Sequence, residues 1–260
     1  MGRLNYPDPP VGPDDLPAGL DNFKGNLLVT KLRNVTEPQD PEFFVMDAAG
    51  TLVRPAVETS PITTGPLGVA DSPEGIWLTD LADGLAVLNT LDGDFVRSFS
   101  TVPQTDSPEG IEFHPVTGSL FVVGGNGENQ VFEYEPDGTF VAGFPINGVN
   151  QDGIAFDAER CSFWIYDSGT DRVRHYFFDG TAMTEQENFP GTSINGFSNG
   201  EGVAVIGDRL YAAGTGPFAA LVFDISAASS DAGNPLCPGV FADGFETGDL
   251  SAWSTSVGGS

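Results

Sequence analysis

Three observations in this 260-residue sequence predict an all-β fold, a β-propeller built from four-stranded blades. Short apolar-alternating runs separated by turn residues fill residues 20–226, and no helical periodicity interrupts them. Ala49-Gly50, Asp92-Gly93, Asp137-Gly138 and Asp179-Gly180 each follow such a run, as the turn of a β-hairpin does. The glycines of these turns are 43, 45 and 42 residues apart, which is the length of one propeller blade.

Five blades align on this period. The first strands open on glycine-containing turns at residues 17–20, 66–69, 108–111, 151–154 and 200–203. The second strands are the apolar runs at residues 27–31, 76–80, 120–124, 163–167 and 210–214. A third strand follows each second strand, and the Asp-Gly turn then leads into a fourth. The repeat therefore contains the four strands of one blade.

Two of these blades carry patterns of known repeat families. SPEGIEFHPVTGSLFVVGGNGENQVFEYEPDGTF (107–140) resembles an NHL repeat, in which Pro-x-Gly-Ile precedes an aliphatic strand and a later Asp-Gly turn. QDGIAFDAERCSFWIYDSGTDRVRHYFFDG (151–180) resembles a blade of the gluconolactonase/regucalcin family. The resemblance covers about residues 17–226 and implies a propeller, which in those families usually has six blades.

The ends of the repeat array leave two ways to close the ring. Blade five has no fourth strand of its own, because a linker-like run follows its third strand. The segment RLNY (3–6) supplies the missing strand, or a whole blade precedes this chain in a six-bladed parent. We expect the six-bladed parent. Residues 1–16 are then an extension or the remnant of a preceding blade, and residues 17–226 are the propeller.

Residues 227–260 are expected to be a linker followed by a tail or a truncated module. Residues 237–260, CPGVFADGFETGDLSAWSTSVGGS, resemble the start of a small β-sandwich module found at the C-terminus of secreted bacterial proteins. They are either a tail that packs Phe241, Phe245 and Trp253 on the propeller or the beginning of a severed domain.

The charge of the chain restricts its partners and its location. Ten Lys and Arg residues stand against 37 Asp and Glu residues, for a net charge of −27. Such a surface repels nucleic acid and anionic membranes, and no apolar run is long enough to span a bilayer. Cations, small molecules or protein ligands are the expected partners. The first fifteen residues lack the apolar core of a signal peptide, so the chain is cytosolic or its leader has been removed. We expect an extracellular or periplasmic protein.

Cys161 and Cys237 are the two cysteines, too few for a disulfide framework or a zinc site. They form one disulfide or remain two unpaired buried thiols. The ten-residue linker after blade five is long enough to bring Cys237 back by one blade, so we predict the bridge.

A candidate metal site follows from the repeat. The residue before each opening glycine lies at one mouth of the central channel, and in blades three to five it is an acid: Glu109, Asp152 and Glu201. Asn150 and Asn199, in the approaches to two of these turns, add neutral oxygens. Hard divalent cations bind such oxygen sets, so we predict a cation here, with Ca²⁺ the first choice. The alternative is that these acids are ordinary turn residues of a very acidic protein.

The family resemblance bears on the same turn. In the gluconolactonase/regucalcin family this position carries metal ligands, including a Pro-Asp-Gly aspartate that acts as base. Asp152 matches that motif except that Gln151 replaces the proline, and Glu109 stands where the family has Asn. The resemblance thus implies Asp152 as the catalytic residue of a metal-dependent lactone or ester hydrolase.

Other signatures of catalysis are absent from the sequence. His114 and His175 are expected to be structural, and Asp80, Asp167 and Asp171 are expected to cap turns. The sequence therefore favours a secreted binding scaffold that presents a loop-lined face to a ligand or protein, with a cation at the channel mouth. A metal-dependent hydrolase is the alternative.

Overall fold

The computed structural model describes residues 2–6, 15–33, 42–59, 66–125, 127–191, 200–214, 219–231 and 233–237. In these ranges the chain forms twenty β-strands, arranged as five four-stranded sheets. Each sheet is antiparallel, and the five form a ring. The protein is an all-β, five-bladed β-propeller, which confirms the predicted fold class.

The blades follow one another in chain order. Blade one contains β2 (Asp15–Phe23), β3 (Asn26–Arg33), β4 (Glu42–Met46) and β5 (Leu52–Glu58). Blade two contains β6 (Pro66–Ser72), β7 (Gly75–Asp80), β8 (Leu85–Asn89) and β9 (Phe95–Ser100). Blade three contains β10 (Pro108–Phe113), β11 (Leu120–Gly124), β12 (Gln130–Tyr134) and β13 (Phe140–Pro145). Blade four contains β14 (Gln151–Asp157), β15 (Ser162–Asp167), β16 (Arg172–Phe178) and β17 (Met183–Pro190). Blade five contains β18 (Gly200–Ile206), β19 (Arg209–Gly214), β20 (Ala219–Asp224) and, from the start of the chain, β1 (Gly2–Asn5).

The ring closes through β1. This strand pairs antiparallel with β20, with Gly2 opposite Val222 and Asn5 opposite Ala219. Blade five thereby gains its fourth strand from the N-terminal segment, which confirms that alternative and makes our expectation of six blades wrong. β1 is also part of the propeller rather than an extension or the remnant of another blade.

Close packing at the axis fixes the number of blades. Five glycines, one on each inner strand, bring neighbouring backbones together: Gly19, Gly68, Gly110, Gly153 and Gly202. A Cβ atom on Gly202 would lie 2.4 Å from the carbonyl oxygen of Ala18, so the inner strands of blades five and one are direct neighbours. The channel that remains along the axis has a volume of only about 10 Å³. A sixth inner strand has no place in this contact, and the axis itself has no room for a ligand larger than a water molecule.

Apolar clusters fill the space between neighbouring blades, one for each of the five blade-to-blade contacts. Trp77 lies between blades two and three, Trp164 lies between blades four and five, and both are fully buried. Leu4 and Tyr6, at and just after β1, lie in the cluster between blades five and one. The closing contact is therefore apolar as well as hydrogen-bonded.

Two buried threonines bond one blade to the next. The hydroxyl of Thr30 accepts a hydrogen bond from the Gly19 N–H (2.6 Å) and donates one to the carbonyl of Leu67 (2.9 Å). The hydroxyl of Thr79 likewise accepts from the Gly68 N–H and donates to the carbonyl of Glu109, at 2.7 Å in each case. The bond from Thr79 holds the backbone of Glu109, a predicted site residue.

After β20 the described chain continues to Cys237, across blades five and four. Phe241, Phe245 and Trp253, which we expected to pack on the propeller or belong to a severed module, lie outside the described residues. The described residues contain no helix with the length and apolar character needed to cross a bilayer.

Candidate functional site

The predicted site residues lie at the mouth where the inner strands begin, which we call the N-terminal mouth. In every blade the register between the first and second strands shifts at this point, as in a β-bulge. A bulge inserts an extra residue and changes the direction of a side chain. The shift between Pro108 and Gly110 contains Glu109, and the shift between Gln151 and Gly153 contains Asp152. The bulges thus place the carboxyl groups that the repeat predicted.

Glu109 and Asp152, from blades three and four, are within hydrogen-bonding reach of each other through their carboxyl groups. Asp152 is only 5% exposed, and burial, followed by the hydrogen bond and repulsion from Glu109, raises its pKa to about 10. Burial is also the main cause of the raised pKa of Glu109. Two carboxyl groups can bond only if one of them keeps a proton, so the pair holds a proton at neutral pH.

Asp152 has an oxygen without a donor. Its Oδ1 atom accepts a hydrogen bond from the Asn150 side chain (2.8 Å), and the same amide donates to the hydroxyl of Ser168 (3.0 Å). The Oδ2 atom is buried and receives no hydrogen bond from an N–H or hydroxyl group of the described residues. A buried acceptor without any partner is costly, so the proton held by the Glu109–Asp152 pair is the group available to this oxygen, and a bound cation would take the place of that proton.

Glu201 of blade five completes the acidic side of this mouth. Burial, followed by repulsion from Asp152, raises its pKa to about 8. Asp152 therefore interacts electrostatically with acids on both neighbouring blades. No group of three or more His, Cys, Asp or Glu side chains in the described residues is close enough to hold one metal ion. The structure brings Glu109, Asp152, Glu201 and Asn150 to one mouth, and Asn199 lies outside the described residues.

Several site features were not predicted from the sequence. The Oε2 atom of Glu128 and the Oε1 atom of Gln151 are also buried acceptors, and neither has a hydrogen-bond partner among the residues that the structure describes. Glu128 interacts electrostatically with Glu109, and Gln151 immediately precedes Asp152. A Cβ atom on Gly125 would lie 2.0 Å from Oε1 of Glu109, so this carboxyl group requires a glycine beside it. The glycine pair at the end of β11, Gly124 and Gly125, was the available signal in the sequence.

Asp167 positions the loop that carries Asn150. Burial alone would raise its pKa, but hydrogen bonds from Thr170, from the N–H groups of Asn150 and Val149 and from Arg174 lower the pKa. Asp80 accepts a hydrogen bond from the Ala82 N–H (3.1 Å). Both residues bond to turn backbone, as predicted.

Asp171, the third expected turn cap, accepts a hydrogen bond from the hydroxyl of Tyr166 (2.7 Å).

The two histidines are structural, as predicted. The ring of His114 packs among four phenylalanines, and burial lowers its pKa to about 4. His175 stacks on Trp164 at 4.1 Å and contacts Glu187 through Nδ1 (3.1 Å). Burial lowers the pKa of His175 despite this carboxylate.

The opposite mouth contains acids that the sequence analysis did not single out. A cavity of about 480 Å³ there is lined in part by Asp21, Asp71 and Glu112. Asp21 accepts a hydrogen bond from the Asp71 N–H of blade two (2.5 Å), and Glu112 accepts one from the Phe156 N–H of blade four (3.1 Å). Their second oxygens accept from the N–H groups of Asn22 and Phe113. These acids join blades, and their oxygens already have partners.

A scan of protein families gives no match to this chain, and neither does a search of curated proteins. Solved structures do match. A nidogen/laminin complex contains a chain that is 19% identical, with a TM-score of 0.58 over 84% of this chain and 80% of that one. A catalytically inactive virginiamycin B lyase from Staphylococcus aureus, solved with quinupristin, is 13% identical, with a TM-score of 0.50 over 85% and 98%. A streptogramin B lyase is 12% identical, with a TM-score of 0.51 over 86% and 97%. These neighbours are β-propeller proteins, and at such low identity the likeness establishes the β-propeller fold alone.

Proposed function

We propose that the protein is a secreted binding scaffold whose N-terminal mouth takes a divalent cation, Ca²⁺ in the first place, and presents the surrounding loops to a ligand. The observation that carries this proposal is the buried Oδ2 atom of Asp152, which receives no hydrogen bond from an N–H or hydroxyl group of the described residues and lies in a group of interacting carboxyls. Burial, followed by interactions between these acids, raises the pKa values of Asp152 and Glu201. A cation would take the place of the proton that the Glu109–Asp152 pair holds.

The chemistry of the mouth fits a hard cation. Its side chains offer carboxyl oxygens from Glu109, Asp152 and Glu201, and the Asn150 amide, which is bonded to Asp152, adds a neutral oxygen. Ca²⁺ is bound by six to eight such oxygens, with water completing the set where the protein supplies fewer. The side chains are spread over three blades, so a cation held mainly by Glu109 and Asp152 would leave positions for a ligand. The sealed axis confines that ligand to the mouth and its loops.

The pair of acids also supports a second function, a metal-dependent lactone or ester hydrolase. A carboxyl group with a raised pKa in a recess is a candidate general base. Asp152 would take that role once metal binding has displaced the shared proton, and its carboxylate would then remove a proton from the attacking water, while Glu109 and Glu201 would hold the metal. The structural neighbours include lyases as well as a chain of a nidogen/laminin complex, so the fold is compatible with either function. We favour the scaffold because both histidines are committed to packing.

A thermal-shift experiment tests the cation. A ligand that binds only the folded state at a concentration of about 100 Kd stabilises it by about 2.7 kcal/mol. Ca²⁺ should therefore raise Tm in the parent protein, and Asp152→Asn should remove most of this gain. Asp94→Asn is the matched control, because this acid lies exposed in a hairpin turn. NaCl at equal ionic strength controls for screening of the net charge.

Equal protection by Na⁺ and Ca²⁺, or a normal response of Asp152→Asn, would show that the acids are only turn residues. Hydrolysis of lactones and aryl esters, assayed with and without EDTA, separates the two functions. Activity that disappears with EDTA and in Asp152→Asn supports the hydrolase. Cation binding without hydrolysis supports the scaffold.

A further inference from the structure

The chain that follows β20 lies across the blades as a strap, which we define as residues 225–231 and 233–237. It begins on blade five, where the Ile225 N–H donates to the carbonyl of Asp208 (2.9 Å). It then reaches blade four, where the Ser229 N–H donates to Oε1 of Glu187 (3.2 Å). The Asp231 N–H donates to the carbonyl of Arg160 (2.9 Å). The strap is thus bonded to both blades before it reaches its cysteine.

The end of the strap is held against the turn between β14 and β15. The Asn234 side chain donates to the carbonyl of Phe178, and Leu236 packs on the apolar cluster between blades three and four. The Cys237 N–H donates to the Asn234 carbonyl (2.9 Å), and its sulfur lies 4.0 Å from the Ala158 carbonyl oxygen. These contacts bring the Cys237 thiol to the turn that contains Cys161.

The backbone of Cys161 is unusual for this turn. Its φ is 54°, in the left-handed region that favours glycine. The corresponding turns of the other four blades each place a glycine at positive φ: Gly25 at 81°, Gly75 at 142°, Gly118 at 75° and Gly207 at 54°. Blade four alone has a cysteine there. The two thiols are free, and they are within hydrogen-bonding reach of each other.

We propose that Cys161 and Cys237 are an oxidative cross-linking site, at which a disulfide fastens the strap to blade four. The two thiols are within hydrogen-bonding reach of each other, and the strap contacts at Asp231, Asn234 and Leu236 hold them there without the bond. The strap therefore already brings together the two groups that a disulfide would join. An oxidising compartment outside the cytoplasm, as we expect for this chain, would maintain it.

The reaction is a thiol–disulfide exchange with a small disulfide such as oxidised glutathione. Cys237 is the more exposed thiol, so its thiolate attacks first. This step forms a mixed disulfide and releases one reduced glutathione. The Cys161 thiolate then attacks the Cys237 sulfur and releases the second. The two protein thiols lose two protons and two electrons in total, and oxidised glutathione gains them.

Burial, followed by the contact with Cys237, raises the pKa of Cys161 well above the usual thiol value. A buried thiol of raised pKa is a poor nucleophile towards a reagent in solution. It can still attack a sulfur atom held beside it. We therefore expect a reagent that modifies only one of the two thiols to modify Cys237.

Intact-mass measurement tests the cross-link in the whole chain. After equilibration with oxidised glutathione and alkylation without reductant, the parent should gain no alkyl groups and should lose the mass of two hydrogen atoms. Cys237→Ser should show no such loss. In Ser226→Cys combined with Cys237→Ser, a thiol sits on the strap at blade five, and this variant should form no internal disulfide, so its mass should show free thiols or a glutathione adduct and no loss of two hydrogen atoms. Two alkylated cysteines in the parent, or a disulfide-linked dimer, would overturn the proposal.

Hydrogen exchange tests whether the bond fastens the strap. Amides at residues 225–237 should exchange at least about tenfold more slowly in the oxidised parent than in Cys237→Ser, which equals about 1.4 kcal/mol of local opening free energy. Amides of β7 in blade two report whether both proteins are equally folded. Equal exchange of the strap in two equally folded proteins would show that the cross-link does not fasten it.

Discussion

At the scale of single residues, the candidate site depends on groups that bridge blades. Glu109 is positioned by its own bulge and by the Thr79 hydroxyl, which accepts a hydrogen bond from blade two and donates one to the Glu109 carbonyl. Thr79 is fully buried. A single hydroxyl thus contributes both to the packing of two blades and to the geometry of the mouth.

Thr79→Val keeps the shape of this side chain and removes both hydrogen bonds. The Gly68 N–H and the Glu109 carbonyl would remain buried without partners, and each such group costs about 1–3 kcal/mol. We expect a loss of at least about 1 kcal/mol in the free energy of unfolding, measured with urea, together with weaker Ca²⁺ protection. Thr184→Val, on an exposed strand of blade four, is the matched control. If the two variants unfold alike, the bridging role is wrong.

At the scale of elements, β1 has only four residues but closes the ring of five blades. It pairs only with β20, yet this pairing completes blade five and joins the two ends of the array. Leu4, at 6% exposure, carries this contact into the apolar cluster between blades five and one. A change in β1 therefore acts on the closure of the ring.

Leu4→Ala removes buried methyl groups from that contact. Substitutions of this type cost about 2–5 kcal/mol, and we expect the loss to appear as destabilisation of the whole ring in a single cooperative transition. Leu52→Ala, at a leucine with 36% exposure on the outer strand of blade one, should cost much less. Urea unfolding followed by tryptophan fluorescence compares the two. A Leu4→Ala variant as stable as the control would mean that β1 does not close the ring.

At the scale of the whole molecule, buried acids at both mouths make stability depend on pH. Burial raises the pKa of Asp21 to about 7, that of Glu201 to about 8 and that of Asp152 to about 10. The unfolded chain releases these protons near pH 4. Above that pH the folded state holds more protons than the unfolded state, so stability falls as pH rises through the folded pKa values.

We therefore expect the protein to be more stable at pH 5 than at pH 8, by up to about 1.4 kcal/mol per pH unit for each carboxyl that differs between the two states. Acids with lowered pKa, such as Asp167, lose their contribution only below this window. Tm measured at fixed ionic strength shows how stability changes with pH. Glu201→Gln should reduce the fall in Tm between pH 5 and pH 8, and the control variant Glu135→Gln should leave this fall unchanged. Stability that is constant or rises from pH 5 to pH 8 would contradict the assignment.

The periodic features of the molecule could be predicted from the sequence, because each blade repeats the same four strands and the same close approach of its inner strand to the axis. The glycines at the axis and the acids beside them follow from that period. Two acids of the opposite mouth follow the same period, because Asp21 and Glu112 each stand two residues after an axial glycine. These two acids lie three positions after the ring of residues that precede the axial glycines, so the same period could have identified them.

Features that depend on contacts between distant parts of the chain were not predictable in this way. The pairing of β1 with β20 joins the two ends of the array, and a strand of four residues gives little signal of its own. The Thr79 bridge depends on the distance between two blades. Buried acceptors without donors, such as Oδ2 of Asp152, are defined only once every neighbour is in place.

The glycine contacts that seal the axis also divide the molecule into two independent surfaces. Electrostatic interactions of Glu109 involve acids at its own mouth, and those of Glu112 involve Asp21 and Asp71 at the other. A channel of about 10 Å³ has room for about one water molecule and none for a larger solute. Substitutions on the two surfaces should therefore combine additively, as they do at distant sites in general. A propeller of this kind can acquire a new specificity on one surface while the other keeps its own chemistry.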